Sequence, residues 1–180
     1  MKIKIFNGKK IKIRKLLKKD LKKVKKFQDF INSFIEEDAQ ITLNKKVSLK
    51  EEKEWLIGHI KNVIKRKSVF LFAEDSNKII GTTEISLGKN RQEHIGNFGI
   101  TIRKGYRGIG LGKYLMGEIL KLAKKELKPR PKIIRLGVFP TNQPALQLYR
   151  KMGFKKVARI PKQIQYKRKL IDEIIMLLYL

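Results

Sequence analysis

The chain has 180 residues, no cysteine, and a formal net charge of +28 from 44 Lys and Arg against 16 Asp and Glu. This length suits one domain, expected over 1–180, with a sizeable core; the missing cysteine excludes disulfides, thiolate metal sites and a cysteine nucleophile. No apolar run approaches the ~20 residues of a membrane span and the start carries no secretory pattern, so a cytoplasmic location away from membranes is expected.

In chain order, Lys10 to Arg14 reads as a short first strand. Leu16 to about Glu36 reads as a helix, with Leu17, Leu21, Val24, Phe27, Ile31 and Phe34 along one face. Residues 35–47 form a connection carrying three adjacent acids, Glu36, Glu37 and Asp38. Ser48-Leu49-Lys50-Glu51 is a capping box that opens a second helix to about Arg66, with Trp55, Ile60, Val63 and Ile64 as apolar contacts. Val69–Glu74 and Lys78–Leu87 form a hairpin around Asp75-Ser76-Asn77, and a further strand spans Glu93 to Ile102. From Leu111 the spacing becomes helical, with Leu111, Leu115, Ile119 and Leu122 in one row and Met116, Leu120, Ala123 and Leu127 in the next. Lys128-Pro129-Arg130-Pro131 breaks that helix; a strand over Ile133–Phe139, a helix over 142–152 and strands near 154–160 and 172–179 complete the chain.

The charge is spread along both halves of the chain rather than gathered in a tail. It attracts polyanions in general, so a nucleic-acid partner is an open reading. No helix-turn-helix, finger or aromatic RNA-binding signature supports it. His59 and His94 lie in separate segments with no metal-ligand spacing and read as ordinary surface or helix residues; no metal is expected.

The most informative segment is Tyr106-Arg107-Gly108-Ile109-Gly110-Leu111-Gly112-Lys113. It joins the apolar strand containing Phe98, Ile100 and Ile102 to the long helix that starts at Leu111. Glycines at such a junction let a ligand approach the main chain, and a helix N-terminus presents unpaired amides with partial positive charge. Together they make an anion site, usually for phosphate, with Arg107 adding a full charge at its entrance. A P-loop would need Gly at 107 and Ser or Thr at 114, which are Arg107 and Tyr114; a dinucleotide fingerprint would need Gly at 113, which is Lys113. The pattern present is R-x-x-G-x-G, from Arg107 through Gly110 to Gly112. A second block, Asn142 to Phe154, reads N-x-x-A-x-x-L-Y-x-K-x-G-F through Asn142, Ala145, Leu148, Tyr149, Lys151, Gly153 and Phe154.

On these two blocks, in this order and spacing, the chain resembles the GCN5-related N-acetyltransferase (GNAT) family. The resemblance implies a mixed, three-layer α+β fold, β-α-α-β-β-β-α-β-α-β-β, with a central mostly antiparallel sheet. It implies direct transfer of acetyl from acetyl-CoA to an amine without an acyl-enzyme. The amides of Arg107, Gly108, Ile109, Gly110, Leu111, Gly112 and Lys113 would hold the pyrophosphate. The backbone around Ile100, Thr101 and Ile102 would pair with pantetheine as an added strand. Asn142 would contact the cofactor or fix its loop, and Tyr149 would protonate the departing thiolate.

Many relatives carry a carboxylate on the strand before the phosphate loop. Here the comparable position is Asn97 or Gly96, neither of which is a base. Asn97 is then expected to orient a water or the acceptor, with Glu84 or Glu93 substituting as base. Glu36, Glu37 and Asp38 lie in the region that faces substrate in the family and are expected to attract a cationic amine. The acceptor expected is a protein or peptide amine, an N-terminus or a lysine, ahead of a small polyamine that the +28 charge would repel. The rival hypothesis is a non-enzymatic basic module that binds acyl-CoA or nucleic acid on the same fold.

Overall fold

The computed structural model describes all of residues 1–180. Eight strands form one sheet in the order β1-β2-β3-β4-β5-β6-β8-β7, antiparallel everywhere except β5 against β6. Helices α1 (Val24–Glu36) and α2 (Leu49–Ile64) cover one face; α3 (Leu111–Glu126) and α4 (Gln143–Lys151) belong to the other. This is the expected mixed three-layer arrangement, with one strand more than the sequence reading gave.

The additional strand is at the N-terminus. β1 (Lys2–Phe6) and β2 (Lys9–Lys15) form a hairpin whose turn residues Asn7 and Gly8 both have positive φ, 45° and 74°. Asn-Gly is the favoured pair for such a turn. The helix expected from Leu16 begins instead as a 3-10 helix over Lys18–Lys23. Asp20 explains the tighter turn. Its carboxylate accepts the Leu17 N–H at 2.9 Å and holds Arg14 through contacts of 2.8 and 2.6 Å, in a site where Asp20 is 1% exposed. Leu17 itself is exposed, and Phe30 takes the core place beside Phe27 and Phe34.

Alternation along the strands assigns the two faces. In β3 (Ser68–Asp75), Phe70 and Phe72 pack under α1 and α2, with Phe27 edge-on to Phe72 at 5.3 Å. Val69 and Leu71 point to the opposite face, where they join Met116, Ile119, Leu136 and Met176. Burial of each such side chain contributes roughly 1.5–3 kcal/mol. β3 and β4 (Lys78–Leu87) meet through Ser76 and Asn77, again both at positive φ. Ser48 accepts the Glu51 N–H and Glu51 accepts the Ser48 N–H, so the expected capping box opens α2. The last two strands are longer than the sequence suggested, β7 at Lys155–Tyr166 and β8 at Lys169–Tyr179, and their hairpin tip reaches back to the α1–α2 connection.

The parallel pair positions the site. β5 (Ile95–Ile102) bonds along its whole length to β4, from Gly96 through Ile102. Its pairing with β6 (Ile133–Val138) covers only Ile95–Asn97 against Ile133–Arg135. Beyond Asn97 the two strands part, and the edge of β5 that faces away from β4 has no strand partner. No helix is long and apolar enough to cross a membrane.

Candidate active site

The split between β5 and β6 opens toward the N-terminus of α3. Gly108 and Gly110 there adopt φ of 78° and 86°, and Gly110 is the N-cap of the helix. A side chain at either position would be strained by that backbone. None of the main-chain N–H groups of residues 107–113 finds an acceptor in the protein. The first intrahelical bond of α3 is Tyr114 N–H to Gly110 C=O, 3.2 Å. Seven successive amides without partners, the last three in the first turn of a sixteen-residue helix, form an anion cradle. Gly112 lies in that turn close to Ile102 and Leu148, and Ile109 packs beside the cluster of Ile11, Ile13, Leu111 and Leu115. Lys113 is exposed at the rim.

Arg107 differs from its expected role as a free charge at the entrance. Its Nε donates to the Ile102 carbonyl at 2.7 Å, a guanidinium N–H donates to Glu37, and the group lies 5.7 Å from the Phe34 ring centre. The side chain therefore ties the loop to the end of β5 and the end of α1. Ile100 and Ile102 send their side chains toward α3, while Thr101 points to the α1–α2 face, its hydroxyl 2.8 Å from that of Thr82.

Asn142 caps α4, its side chain accepting the Ala145 N–H at 3.2 Å, and Pro144 suits the first turn. This fixes Tyr149 two turns later. Its ring packs edge-on to Phe98, centroids 6.1 Å apart, and against Phe154 at 6.1 Å. The phenol makes no hydrogen bond within the protein, and burial pushes its pKa up to about 12. A phenol in that state keeps its proton at neutral pH and is a donor.

The α1–α2 face carries the other expected residues. Asn97 is exposed at the last paired position before the strands part, opposite Ser86 and Arg135. Glu84 lies directly opposite Gly99 and leans over it. Its Oε2 is buried without a hydrogen bond of good geometry; its ionic partner is His59 Nε2 at 2.9 Å. His59 read as an ordinary helix residue in the sequence. Here it is stacked on Trp55 with centroids 3.8 Å apart, and its Nδ1 lies 2.9 Å from the Trp55 carbonyl. A carbonyl only accepts, so Nδ1 carries a hydrogen, and Nε2 and Oε2 must share the remaining proton. Burial opposes charge on the imidazole, but Glu84, the Trp55 carbonyl and Glu52 outweigh it and raise the His59 pKa. Glu52, 5% exposed two turns earlier, has its carboxyl pushed up to about 7 by burial. The one sequence sign of this pairing was the i, i+4 spacing of Trp55 and His59; the Glu84 contact joins separate elements.

The remaining acids are engaged elsewhere. Glu93 pairs with Lys67 at 2.9 Å. In the expected acceptor trio, Glu36 pairs with Lys46 at 2.8 Å, Glu37 with Arg107, and Asp38 with Lys167 at 2.9 Å. The trio is thus brought to the site's edge with each charge matched by a cation of the chain. No group of three or more His, Cys, Asp or Glu has metal-ligand geometry.

Residues 29–154 match the model of the Acetyltransferase (GNAT) family. L-amino acid N-acetyltransferase AaaT of Escherichia coli K12 is 34% identical over 64 residues, a stretch covering 36% of this chain and 38% of that protein. An acetyltransferase of the GNAT family from Streptococcus pneumoniae superposes with a TM-score of 0.81 at 25% identity, over 94% of this chain and 99% of that one. The yncA protein of Salmonella typhimurium, solved with its cofactor acetyl-CoA, superposes at 0.77 and 16% identity, over 94% and 93% of the two chains. The family match spans both glycine-bearing blocks, the parted strands and the Tyr149 helix, and the chain belongs to the GNAT acetyltransferase family.

Proposed function

We propose that this protein transfers acetyl from acetyl-CoA to a primary amine, acting directly and without an acyl-enzyme. The observation that carries the reading is the unpaired edge of β5 running into seven free amides at the start of α3. An extended, amide-bearing chain fits the first feature as an added strand, and a pyrophosphate fits the second. Acetyl-CoA has both parts in that order and supplies the acyl group as a thioester. Each hydrogen bond from these amides to a charged oxygen is worth about 1.5–3 kcal/mol.

The residues then divide the work. The cradle over 107–113 binds and orients, with Arg107 and Asn142 holding its two sides in place. Ile100, Thr101 and Ile102 present the strand edge. Tyr149 donates its proton to sulfur as the carbon–sulfur bond breaks and the new carbon–nitrogen bond forms. On the acceptor side the ammonium must first lose a proton. The Glu84–His59 pair receives it once the proton shared by Nε2 and Oε2 has left, because the vacated position between the two atoms then accepts a proton. Asn97 holds a water or the amine between them.

The acceptor we favour is a protein or peptide amine. AaaT acts on L-amino acids by name, which favours a free amino acid as the second reading. Incubation of the protein with acetyl-CoA and a panel of an alanine-headed peptide, an N-blocked lysine peptide and free L-amino acids, read by mass spectrometry, tests both. A gain of one acetyl on a member of the panel supports the function and selects the class. Tight acetyl-CoA binding with no acetylated product would leave the rival reading, an acyl-CoA-binding module.

A further inference from the structure

Glu173 lies in β8 on the α1–α2 face of the sheet, the face shared by Glu84, Asn97 and Thr101. The registers establish this. Ile174 and Met176 oppose Val138 and Leu136 in the core beneath α3 and α4, so Glu173 and Ile175 point the other way with Gly137 and Arg135. The Glu173 carboxylate rests on Gly137: a Cβ added to that glycine would lie 2.0 Å from Oε1 and 2.8 Å from Cδ. Any side chain at 137 would push the carboxylate away. The glycine is what lets an acid of β8 reach across β6 toward the split.

The arrangement mirrors the other side of the split. Glu84 from β4 leans over Gly99 of β5, and Glu173 from β8 leans over Gly137 of β6. Because Asn97 and Arg135 are register partners, Gly99 and Gly137 stand at equal distance past the point where β5 and β6 part. Two glutamates thus flank one opening, each passing over a glycine of a parting strand. Glu84 is paired to His59. Glu173 is partly buried and enters no ion pair or hydrogen bond of the protein, although the chain carries 44 Lys and Arg against 16 acids. Asp172, its neighbour on the opposite side of the strand, is held by Arg159 at 2.6 Å and by the Lys162 N–H. A partly desolvated carboxylate left unmatched amid excess cations is an electrostatic attractor for a cation from outside.

The opening is also bounded above. Tyr166 at the β7–β8 tip donates to the Asp38 carbonyl at 2.9 Å, and Gln40 donates to the Thr141 hydroxyl at 2.6 Å. These contacts, with the three matched acids of residues 36–38, occupy the connection that the sequence suggested for amine recruitment.

Resting on the acetyl-transfer reading, we propose that Glu173 is the residue that binds the acceptor ammonium and aligns it opposite Glu84 and Tyr149. Glu173 attracts the protonated amine; the proton then leaves to the Glu84–His59 pair, and the freed nitrogen attacks. Its role is binding and alignment rather than proton removal.

The test uses the member of the amine panel that the wild-type protein acetylates. Glu173→Gln is expected to raise the KM of that amine about tenfold or more, the order of one charge-assisted contact, with kcat and the KM for acetyl-CoA little changed. Gly137→Ala keeps the carboxylate but displaces it, and is expected to raise the amine KM in the same way. Thermal melting and acetyl-CoA titration by calorimetry check that each variant is folded. Unchanged amine KM in Glu173→Gln overturns the inference. So does a loss confined to kcat, which would make Glu173 a proton acceptor. Should Gly137→Ala not fold, Glu173→Gln decides alone. Absence of transfer to any amine by the wild-type protein would instead overturn the acetyl-transfer reading itself.

Discussion

The proposed donor and acceptor halves of the site are built from different materials. The donor half, from β5 through the α3 N-terminus, presents main-chain groups: an open strand edge and seven amides. The proposed acceptor half, on the α1–α2 face, presents side chains drawn from α2, β4, β5 and β8: His59, Glu84, Asn97 and Glu173. Main-chain groups are offered by every residue type, so the donor half depends on backbone conformation and hence on a few glycines. Side-chain groups depend on which residues the tertiary fold makes neighbours. Substitutions in the two halves should therefore separate binding of acetyl-CoA from handling of the amine.

The largest effect is expected from Gly110→Asp. It puts a side chain where φ is 86° and a negative charge where the proposed cradle would hold phosphate. Loss of two amide contacts plus repulsion should weaken acetyl-CoA binding by about 10³-fold, measured by calorimetry. Unchanged affinity would remove the cradle from the donor half.

Tyr149→Phe comes next. The ring packing against Phe98 and Phe154 is retained, so fold and acetyl-CoA affinity should hold, while turnover falls by about 10²-fold. Wild-type turnover would reduce Tyr149 to a packing residue.

The Glu84–His59 pair sharpens the comparison through pH. The His59 pKa is raised above its usual value near 6.5, so the imidazole holds its proton to higher pH than a free histidine and releases it as pH rises through that raised value. Activity limited by proton removal should therefore climb with pH and level off above it. Glu84→Gln and His59→Asn should each remove that inflection and cost roughly 10-fold in kcat at neutral pH. An inflection that survives both variants would assign the base elsewhere. The same shift affects stability with a fixed sign. The contribution of protonated His59 is fully present below its unfolded pKa and is lost as pH rises through the folded one.

The smallest effect should come from Glu37→Gln. It frees one end of Arg107 but leaves the Nε contact to Ile102, so the acetyl-CoA KM should rise only about 2- to 5-fold. The amine KM should not move. A change confined to the amine would return Glu37 to the acceptor half.

Local patterns explain how much of this was legible beforehand. The capping box at Ser48, the helical rows from Leu111, the Asn142 cap and the glycines at 108 and 110 act over three to seven residues, and each appears in the structure where the sequence put it. Asn7-Gly8 is an equally local signal, for a hairpin whose first strand is largely exposed. The 3-10 stretch after Leu16 was not readable from periodicity, since it follows from Asp20 meeting Arg14 across the turn.

By itself the sequence determined the order of strands and α-helices from β2 onward, the glycine junction at the start of α3 and the family, because these reside in main-chain conformation and short-range spacing. Only the tertiary structure decided which charges are spent and which are free. It matched Glu36, Glu37 and Asp38 with Lys46, Arg107 and Lys167, joined His59 to Glu84, and left Glu173 unmatched over Gly137. Those pairings link residues up to 129 positions apart, as Lys167 and Asp38 are. A carboxylate's charge is offset or exposed by whatever the sheet registers and helix packing bring within a few ångströms, and no local pattern encodes that distance.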